Sequence, residues 1–324
     1  MQFIGIDTYC DGGNGTIDWS AAKAGGITYA SIRASYGTGY IRNKANQDKK
    51  FFDANWAPMK KAGIVRNAYL FLRYPYKGVA APEPEAQAKA ICDVVGPLEQ
   101  SDLPITIDFE FPGAGAVDTW TDSKTKKPMT KAQLMAWFLR AWQYIKDKYG
   151  VAPPIYSSAR VWLDDLGNPD VPAAVKESLL WLAKYTYNPG PAVMNPAGVL
   201  DPPVPPPWAG TDPKDITYRG MPYSDDNWFI HQYMGDSTGA PGMPKGNEDM
   251  NRMRSLQKEA KPVARERVKW VQKRLGFTGA TNVDGKFGTM TDTAVRKLQT
   301  SKSDLVVDGI IGPRTFAYLC WMNP

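Results

Sequence analysis

The apolar run Leu103-Pro104-Ile105-Thr106-Ile107-Asp108-Phe109-Glu110-Phe111 ends in two carboxyl groups two residues apart. On an extended strand, side chains at i and i+2 share one face, with Cα atoms roughly 6–7 Å apart. Neighbouring carboxyls push their pKa values apart, so one can hold a proton while the other stays ionised. Glycosidic bond cleavage needs that pairing of a proton donor with a charge. Asp7 follows the apolar segment 2–6 and supplies a third carboxyl in an equivalent place, with a turn or helix N-cap as its ordinary alternative. For these groups to meet, the segments that carry them must be strands whose C-terminal ends share one rim.

The chain offers such strands. Short apolar segments at 2–6, 27–33, 63–72, 103–110 and 154–157 are separated by helical stretches. The clearest helix runs over 131–149, where Leu134, Trp137, Phe138, Ala141, Trp142 and Ile145 recur at intervals of three and four. Thr130 and Gln133 have capping-box spacing at its start. This βα alternation over about 250 residues points to a parallel α/β sheet or a (β/α) barrel. Beyond Tyr156 the strands at 179–185 and 228–233 are joined by loop, so a barrel would be incomplete in helices. Residues 188–213 hold nine prolines and are excluded from regular helix or central strand. They read as a loop rimming a cleft, with a PxxP ligand segment as the alternative.

A second unit follows. Val283-Asp284-Gly285-Lys286-Phe287-Gly288-Thr289-Met290-Thr291 is echoed 24 residues later by Val307-Asp308-Gly309-Ile310-Ile311-Gly312-Pro313-Arg314-Thr315. Asp-Gly makes a tight turn, and the final threonine falls near the start of the next helix. Helical segments at 268–275, 293–299 and 315–319 complete a miniature three-helix domain. Residues 253–324 carry 13 Lys/Arg against 6 Asp/Glu, whereas the rest carries 26 against 27. The whole positive excess therefore sits in the tail, which suits an anionic polymer partner or simply a soluble basic surface.

Composition excludes several classes. Hydrophobic residues at 43% and charged residues at 22% describe a globular chain. The single histidine, His231, and three scattered cysteines, Cys10, Cys92 and Cys320, make a zinc hydrolase untenable. No cofactor or metal is expected. No apolar run reaches membrane-spanning length, and no secretory leader is visible. The loop Asp11-Gly12-Gly13-Asn14-Gly15 lacks phosphate-loop spacing and reads as a turn. The tail lacks the basic and aromatic stripe of single-strand nucleic-acid binders, so no nucleic acid is expected.

An ordered series of short motifs carries a family resemblance. Gly5-Ile6-Asp7, Ile17-Asp18-Trp19, Ile32-Arg33-Ala34-Ser35-Tyr36-Gly37, Asn67-Ala68-Tyr69, Asp108-Phe109-Glu110, Ile155-Tyr156-Ser157, Leu180-Trp181-Leu182-Ala183-Lys184-Tyr185, Gln232-Tyr233 and Asp249-Met250-Asn251 stand in this order. Residues 2–252 thereby resemble glycoside hydrolase family 25, the Chalaropsis-type lysozymes. The tail, 264–321, resembles a peptidoglycan-binding domain with DGxxGxxT turns, and together they resemble a modular phage-type endolysin.

The resemblance implies a (β/α)5(β)3 TIM-like barrel followed by a small three-helix C-terminal domain. It divides the chain into a catalytic domain at 1–252, a linker at 253–263 and a wall-binding domain at 264–324. It implies a muramidase that hydrolyses the β-1,4 bond between N-acetylmuramic acid and N-acetylglucosamine in bacterial peptidoglycan. Asp7, Asp108, Glu110 and Asp249 match its acidic positions. Glu110 would be the general acid and Asp108 would orient the substrate's N-acetyl group as an internal nucleophile, while Asp7 and Asp249 would hold the site's charge. A direct inverting scheme with Asp7 or Asp249 as base is the alternative. Tyr69, Arg33, Tyr156, Trp181, Tyr185 and His231 would meet the substrate, with core packing the competing role for Trp181 and His231.

The chain departs from the family pattern where it reads Tyr69-Leu70-Phe71 without the usual histidine, and in its long stretches 112–129 and 188–226. Trp120 and Trp208 could stack on sugars there. The rival function is a catalytically silent wall-binding protein, against which the four matching carboxyls stand. A monomer held in the host cytoplasm until its release to the wall completes the expectation.

Overall fold

The computed structural model of the chain describes residues 2–9, 16–41, 44–45, 47–76, 79–111, 127, 129–158, 160–176, 178–185, 192, 194–200, 217–218, 221–222, 228–243, 248–258 and 265–322. Cys10, the loop 11–15, Trp120, Trp208, most of the proline-rich stretch and part of the expected linker lie outside these residues.

Eight strands close into a barrel: β1 (Gln2–Thr8), β2 (Ile27–Tyr36), β3 (Val65–Phe71), β4 (Thr106–Asp108), β5 (Ile155–Ser158), β6 (Leu180–Ala183), β7 (Ile230–Ser237) and β8 (Glu248–Arg254). Neighbours from β1 to β7 pair in parallel, and β8 closes the ring antiparallel to both β7 and β1. The first four crossovers carry the helices α1 (Trp19–Ala24), α2 (Gln47–Lys61), α3 (Pro84–Val95) and α4 (Lys131–Tyr149). The fifth is reduced to a π turn at Val161–Asp165 and the short helix α5 (Ala173–Lys176). No described residue between β6 and β7 is helical. The expected (β/α)5(β)3 architecture is present.

Barrel strands buried on both faces read as near-continuous apolar runs, and in β2 only Thr28 and Tyr36 are not buried. Gly5 faces the ring of Tyr29 so closely that a Cβ would lie 2.3 Å from it, so glycine is what lets that ring fill the interior. The expected strand at 103–110 shortens to three residues because Pro104 has no N–H to donate. The chain still runs beside its neighbour afterwards, since the Phe109 amide donates to the Tyr156 carbonyl at 2.9 Å. In α4 both halves of the capping box form, with the Gln133 amide on Thr130 Oγ1 at 3.2 Å and the Thr130 amide on Gln133 Oε1 at 2.8 Å.

The tail helices are α6 (Arg265–Arg274), α7 (Thr289–Thr300) and α8 (Pro313–Cys320). Gly288 and Gly312 occupy the N-cap positions of α7 and α8, so Thr291 and Thr315 sit one turn inside rather than capping. Each threonine serves a buried glutamine instead. Gln272 Nε2 reaches Asp284 Oδ1 at 2.8 Å, the Lys286 carbonyl at 3.1 Å and Thr291 Oγ1 at 3.2 Å, while its Oε1 accepts the Gly285 amide at 2.9 Å. Gln299 repeats this with Asp308 Oδ1 at 2.9 Å, the Ile310 carbonyl at 3.0 Å, Thr315 Oγ1 at 3.3 Å and the Gly309 amide at 2.9 Å. Gly285 and Gly309 hold φ of +75° and +72°, the left-handed region that Asp-Gly turns favour.

The tail docks on the barrel end from which the parallel strands start. Phe229 packs against Trp270 and Phe316 at ring-centroid distances of 5.2 and 4.6 Å. Leu256 and Ile311 exchange backbone hydrogen bonds at 3.4 and 2.8 Å. Trp321 Nε1 donates to the Asp102 carbonyl at 2.7 Å, and Arg314 Nη2 to the Gly63 carbonyl at 2.8 Å. One apolar cluster runs from Tyr156 and Trp181 inside the barrel, through Tyr29 and Met253, to Val271, Phe316 and Leu319 in the tail. The sequence reading treats the tail as a separable module, whereas here its core and the barrel's are continuous.

Truncating a buried Phe to Ala typically costs about 3–5 kcal/mol. Phe316→Ala should therefore lower the melting temperature of the barrel together with that of the tail, in a single calorimetric transition. A separate low-temperature tail transition in the unmutated protein would contradict this continuity.

Candidate active site

Antiparallel closure explains how one rim gathers four carboxyls. Asp7 lies near the end of β1 and Asp108 ends β4, with Glu110 two residues beyond. Asp249 lies near the start of β8, which places it at the same rim because that strand runs the other way. Asp7 and Asp249 are direct register partners. Together with Tyr9, Arg33, Tyr36, Tyr69, Phe71, Tyr156, Trp181, Tyr185 and Gln232, the four acids line a cleft of about 410 Å³.

Two of the carboxyls are tied down by amides. Gln232 Nε2 donates to Asp7 Oδ2 at 2.9 Å and to Asp249 Oδ2 at 3.0 Å, and Asn251 Nδ2 donates to Asp7 Oδ2 at 2.6 Å. Asp249 Oδ1 also accepts the Asp236 amide at 2.8 Å. The amide orientations are fixed in turn, because Tyr156 Oη donates to Gln232 Oε1 at 2.7 Å and Trp181 Nε1 to Asn251 Oδ1 at 2.7 Å. Asp108 and Glu110 differ: no hydrogen bond from a described residue reaches either, and Asp108 Oδ1 is buried without a partner.

Burial is the main cause that pushes all four upward. Asp7 stands well above the usual carboxyl range, through desolvation and then the charge of Asp249, partly offset by the Asn251 and Gln232 bonds. Asp108 is likewise held well above it by desolvation and by Glu110. Glu110 is raised by desolvation and tempered by Arg160 and Arg33. Asp249 is pushed up to about 7, again chiefly by burial. Such a set resists full ionisation.

Arg33 is the only cation lining the cleft among the described residues. Its Nε pairs with Asp48 Oδ1 at 3.1 Å, and its guanidinium lies over the rings of Tyr9 and Tyr36 at 4.6 and 5.5 Å. The walls are aromatic: Tyr36 stacks on Phe71 at 4.8 Å, and Trp181 meets Tyr156 edge-on at 5.0 Å and Tyr69 at 6.2 Å. Tyr185 is 58% exposed and open to a ligand. Trp181 is both core and cleft wall, being 3% exposed while its indole N–H positions Asn251.

Of the residues expected to meet substrate, five line the cleft and His231 does not. Gln232 points inward, so strand alternation turns His231 outward. There it is fully buried, with Nε2 2.7 Å from the Lys184 carbonyl and Nδ1 accepting from Arg252 Nε at 2.9 Å. Burial and the Arg252 charge hold its pKa down at about 3, so it stays neutral. The sequence reading left Gln232, Asn251, Tyr9, Tyr36 and Phe71 without roles. Gln232, Asn251, Tyr36 and Phe71 stand inside segments already singled out, and for Asn251 the available signal was its spacing of two from Asp249, which puts strand side chains on one face. Cys92 and Cys320 are buried free thiols away from the cleft, and among the described residues no group of His, Cys, Asp or Glu is placed to hold a metal ion.

The glycosyl hydrolases family 25 profile matches residues 10–240. The chain belongs to that family. Residues 264–319 match the putative peptidoglycan binding domain. Lysozyme M1 of Streptomyces globisporus is 26% identical over 240 residues, 74% of this chain and 64% of that protein, so the chain spans less than two thirds of that relative's length. The crystal structure of the bacterial lysozyme from Streptomyces coelicolor superposes with a TM-score of 0.53 at 24% identity, covering 78% of this chain and 92% of that one. The muramidase from Acremonium alcalophilum gives 0.52 at 21% identity, covering 78% and 93%. These structural likenesses establish the family 25 barrel as a fold.

Because folding raises the Asp108 pKa, its ionisation opposes folding once pH exceeds the unfolded value, and the penalty vanishes in acid where it is protonated in both states. Asp108→Asn should therefore stabilise the family 25 barrel at pH 8 by roughly 1 kcal/mol, about 2–4 °C in melting temperature. Thermal melts at pH 4 should show a smaller gain; an equal gain at both pH values would mean that charge burial is not its source.

Proposed function

We propose that the chain is a muramidase that hydrolyses the β-1,4 bond between N-acetylmuramic acid and N-acetylglucosamine in peptidoglycan, held at the wall by its tail. The observation that carries this reading is the contrast within the acidic cluster: Asp7 and Asp249 are bonded by amides, whereas Asp108 and Glu110 keep their oxygens for a ligand. Family membership and the tail's match support the same reading.

Burial favours a shared proton on the Asp108 and Glu110 pair in the free enzyme. An N-acetyl N–H donating to Asp108 Oδ1 would favour that carboxylate and leave the proton on Glu110, which also lies nearer bulk solvent. Glu110 then protonates the glycosidic oxygen as the bond to C1 breaks. The acetamido oxygen, oriented by Asp108, closes on C1 from the opposite face and gives a bicyclic oxazolinium. Water deprotonated by the Glu110 carboxylate reopens the ring and restores the acid. Asp7 and Asp249 keep the negative potential that favours the cationic intermediate. Tyr185, Tyr69 and Tyr156 supply ring faces and hydroxyls for the sugars.

The substrate-side roles of Arg33 and Trp181 belong to this proposal, as do a monomeric state and a phage endolysin origin. The last rests on the pairing of a wall-cutting barrel with a wall-binding tail.

Glu110→Gln should fold normally and lose at least about 100-fold in turnover, the usual scale of general acid catalysis. In the unmutated enzyme kcat/KM should fall as pH rises through the raised Glu110 pKa, so its alkaline limb lies above the ordinary glutamate range and is lost in Glu110→Gln. Mass spectrometry of digested peptidoglycan should find N-acetylmuramic acid at the new reducing ends. N-acetylglucosamine ends, or near-normal turbidity clearing by folded Glu110→Gln, would overturn the assignment.

A further inference from the structure

A second cavity of about 280 Å³ lies between the barrel and the tail, at the opposite pole from the carboxyls. Both units build it: Phe3, Lys23 and Val65 come from the barrel, and Leu305 and Val306 from the loop just before the second repeat, with Arg314 from α8. Its acids are already engaged. Asp304 accepts from Arg314 Nη1 at 3.1 Å and from Tyr318 Oη at 2.7 Å, and Asp308 Oδ1 accepts from Gln299 Nε2 at 2.9 Å and from the Ile310 amide at 2.8 Å. Lys23, exposed at the cavity's edge, has no acidic partner among the described residues, and partial burial with the nearby charge of Arg314 holds its pKa down.

The cavity thus pairs an uncompensated ammonium with an aliphatic wall. Val306 is 75% exposed, and Leu305 stands next to it. Flat exposed ring faces of the kind that stack on sugars are absent from its lining among the described residues; Phe3 is the only aromatic there and is partly covered by Gly312. A ligand that satisfies this lining carries a carboxylate beside small aliphatic groups and needs no sugar platform. The volume suits about two small residues rather than a disaccharide.

We infer that this interdomain cavity is a binding site for the carboxyl-terminal end of a short alanine-type peptide, with Lys23 receiving the carboxylate and Leu305 and Val306 the methyl groups. The inference rests on the tail's reading as a wall-binding domain and sharpens it, from the polymer as a whole to its peptide part. Because the barrel supplies Lys23, the tail would bind this ligand only when docked.

The test uses the full chain with N-acetyl-alanyl-alanine in both chiral forms, its carboxamide, and glycerol phosphate, followed by amide chemical shifts. One dipeptide should shift residues around 23, 305–306 and 312, with the carboxamide roughly 10-fold weaker for loss of a charge-assisted contact. Lys23→Gln and Val306→Asp should each weaken the dipeptide roughly 10-fold, while melting temperature and turnover on soluble glycan oligomers stay unchanged. No shift with any dipeptide, equal binding of the carboxamide, or binding of glycerol phosphate alone would overturn the inference. None of these results bears on the product analysis that tests the muramidase reading.

Discussion

Negative charge crowded into a space that water barely reaches is the constraint around which this molecule is organised. Four carboxyls share one cleft, and the protein offsets their repulsion with neutral amides more than with cations. Gln232 and Asn251 both donate to Asp7, and Gln232 bridges onward to Asp249. A lysine in their place would neutralise the cluster, whereas an amide holds geometry and leaves the potential intact. The amides are in turn set by Tyr156 and Trp181, so cleft walls and cleft floor are one hydrogen-bonded construction. Antiparallel closure by the last strand is what brings Asp249 into it at all.

The one cation that lines the cleft among the described residues is itself restrained. Arg33 is held by Asp48 and two tyrosine rings at the cleft's edge, so its charge acts on Asp108 and Glu110 without neutralising either by contact. Asp48 keeps one oxygen buried and unbonded and its pKa rises with burial, so holding Arg33 in place carries a desolvation cost.

The carboxyl pair was legible in the sequence because a strand puts i and i+2 on one face, and α4 because its periodicity and capping box agree. The repeated turns of the tail were legible from Asp-Gly. Less visible were features that depend on partners far along the chain. Gln272 and Gln299 lie 27 residues apart while their turns lie 24 apart, so the repeat of the turns does not reveal the glutamines that hold them. For His231 the sequence left core packing standing beside a role in the cleft. Alternation from the inward Gln232 decides against it, and its burial follows from the outer layer packed there, where Trp228 lies 5.3 Å away. Docking of the tail could not be read at all, since Phe229, Trp270 and Phe316 give no local signal that they share a core.

That docking fixes a length. The tail sits where the parallel strands begin and the acids where they end, separated by the seven residues of a strand such as β1 or β3, or about 20–25 Å. A flexible leash would let an anchored enzyme fold back on the strand that anchors it; a fused core does not. The molecule is instead built like a pair of calipers, whose gap would decide which neighbouring strand comes within reach of the cleft once the far end has taken hold.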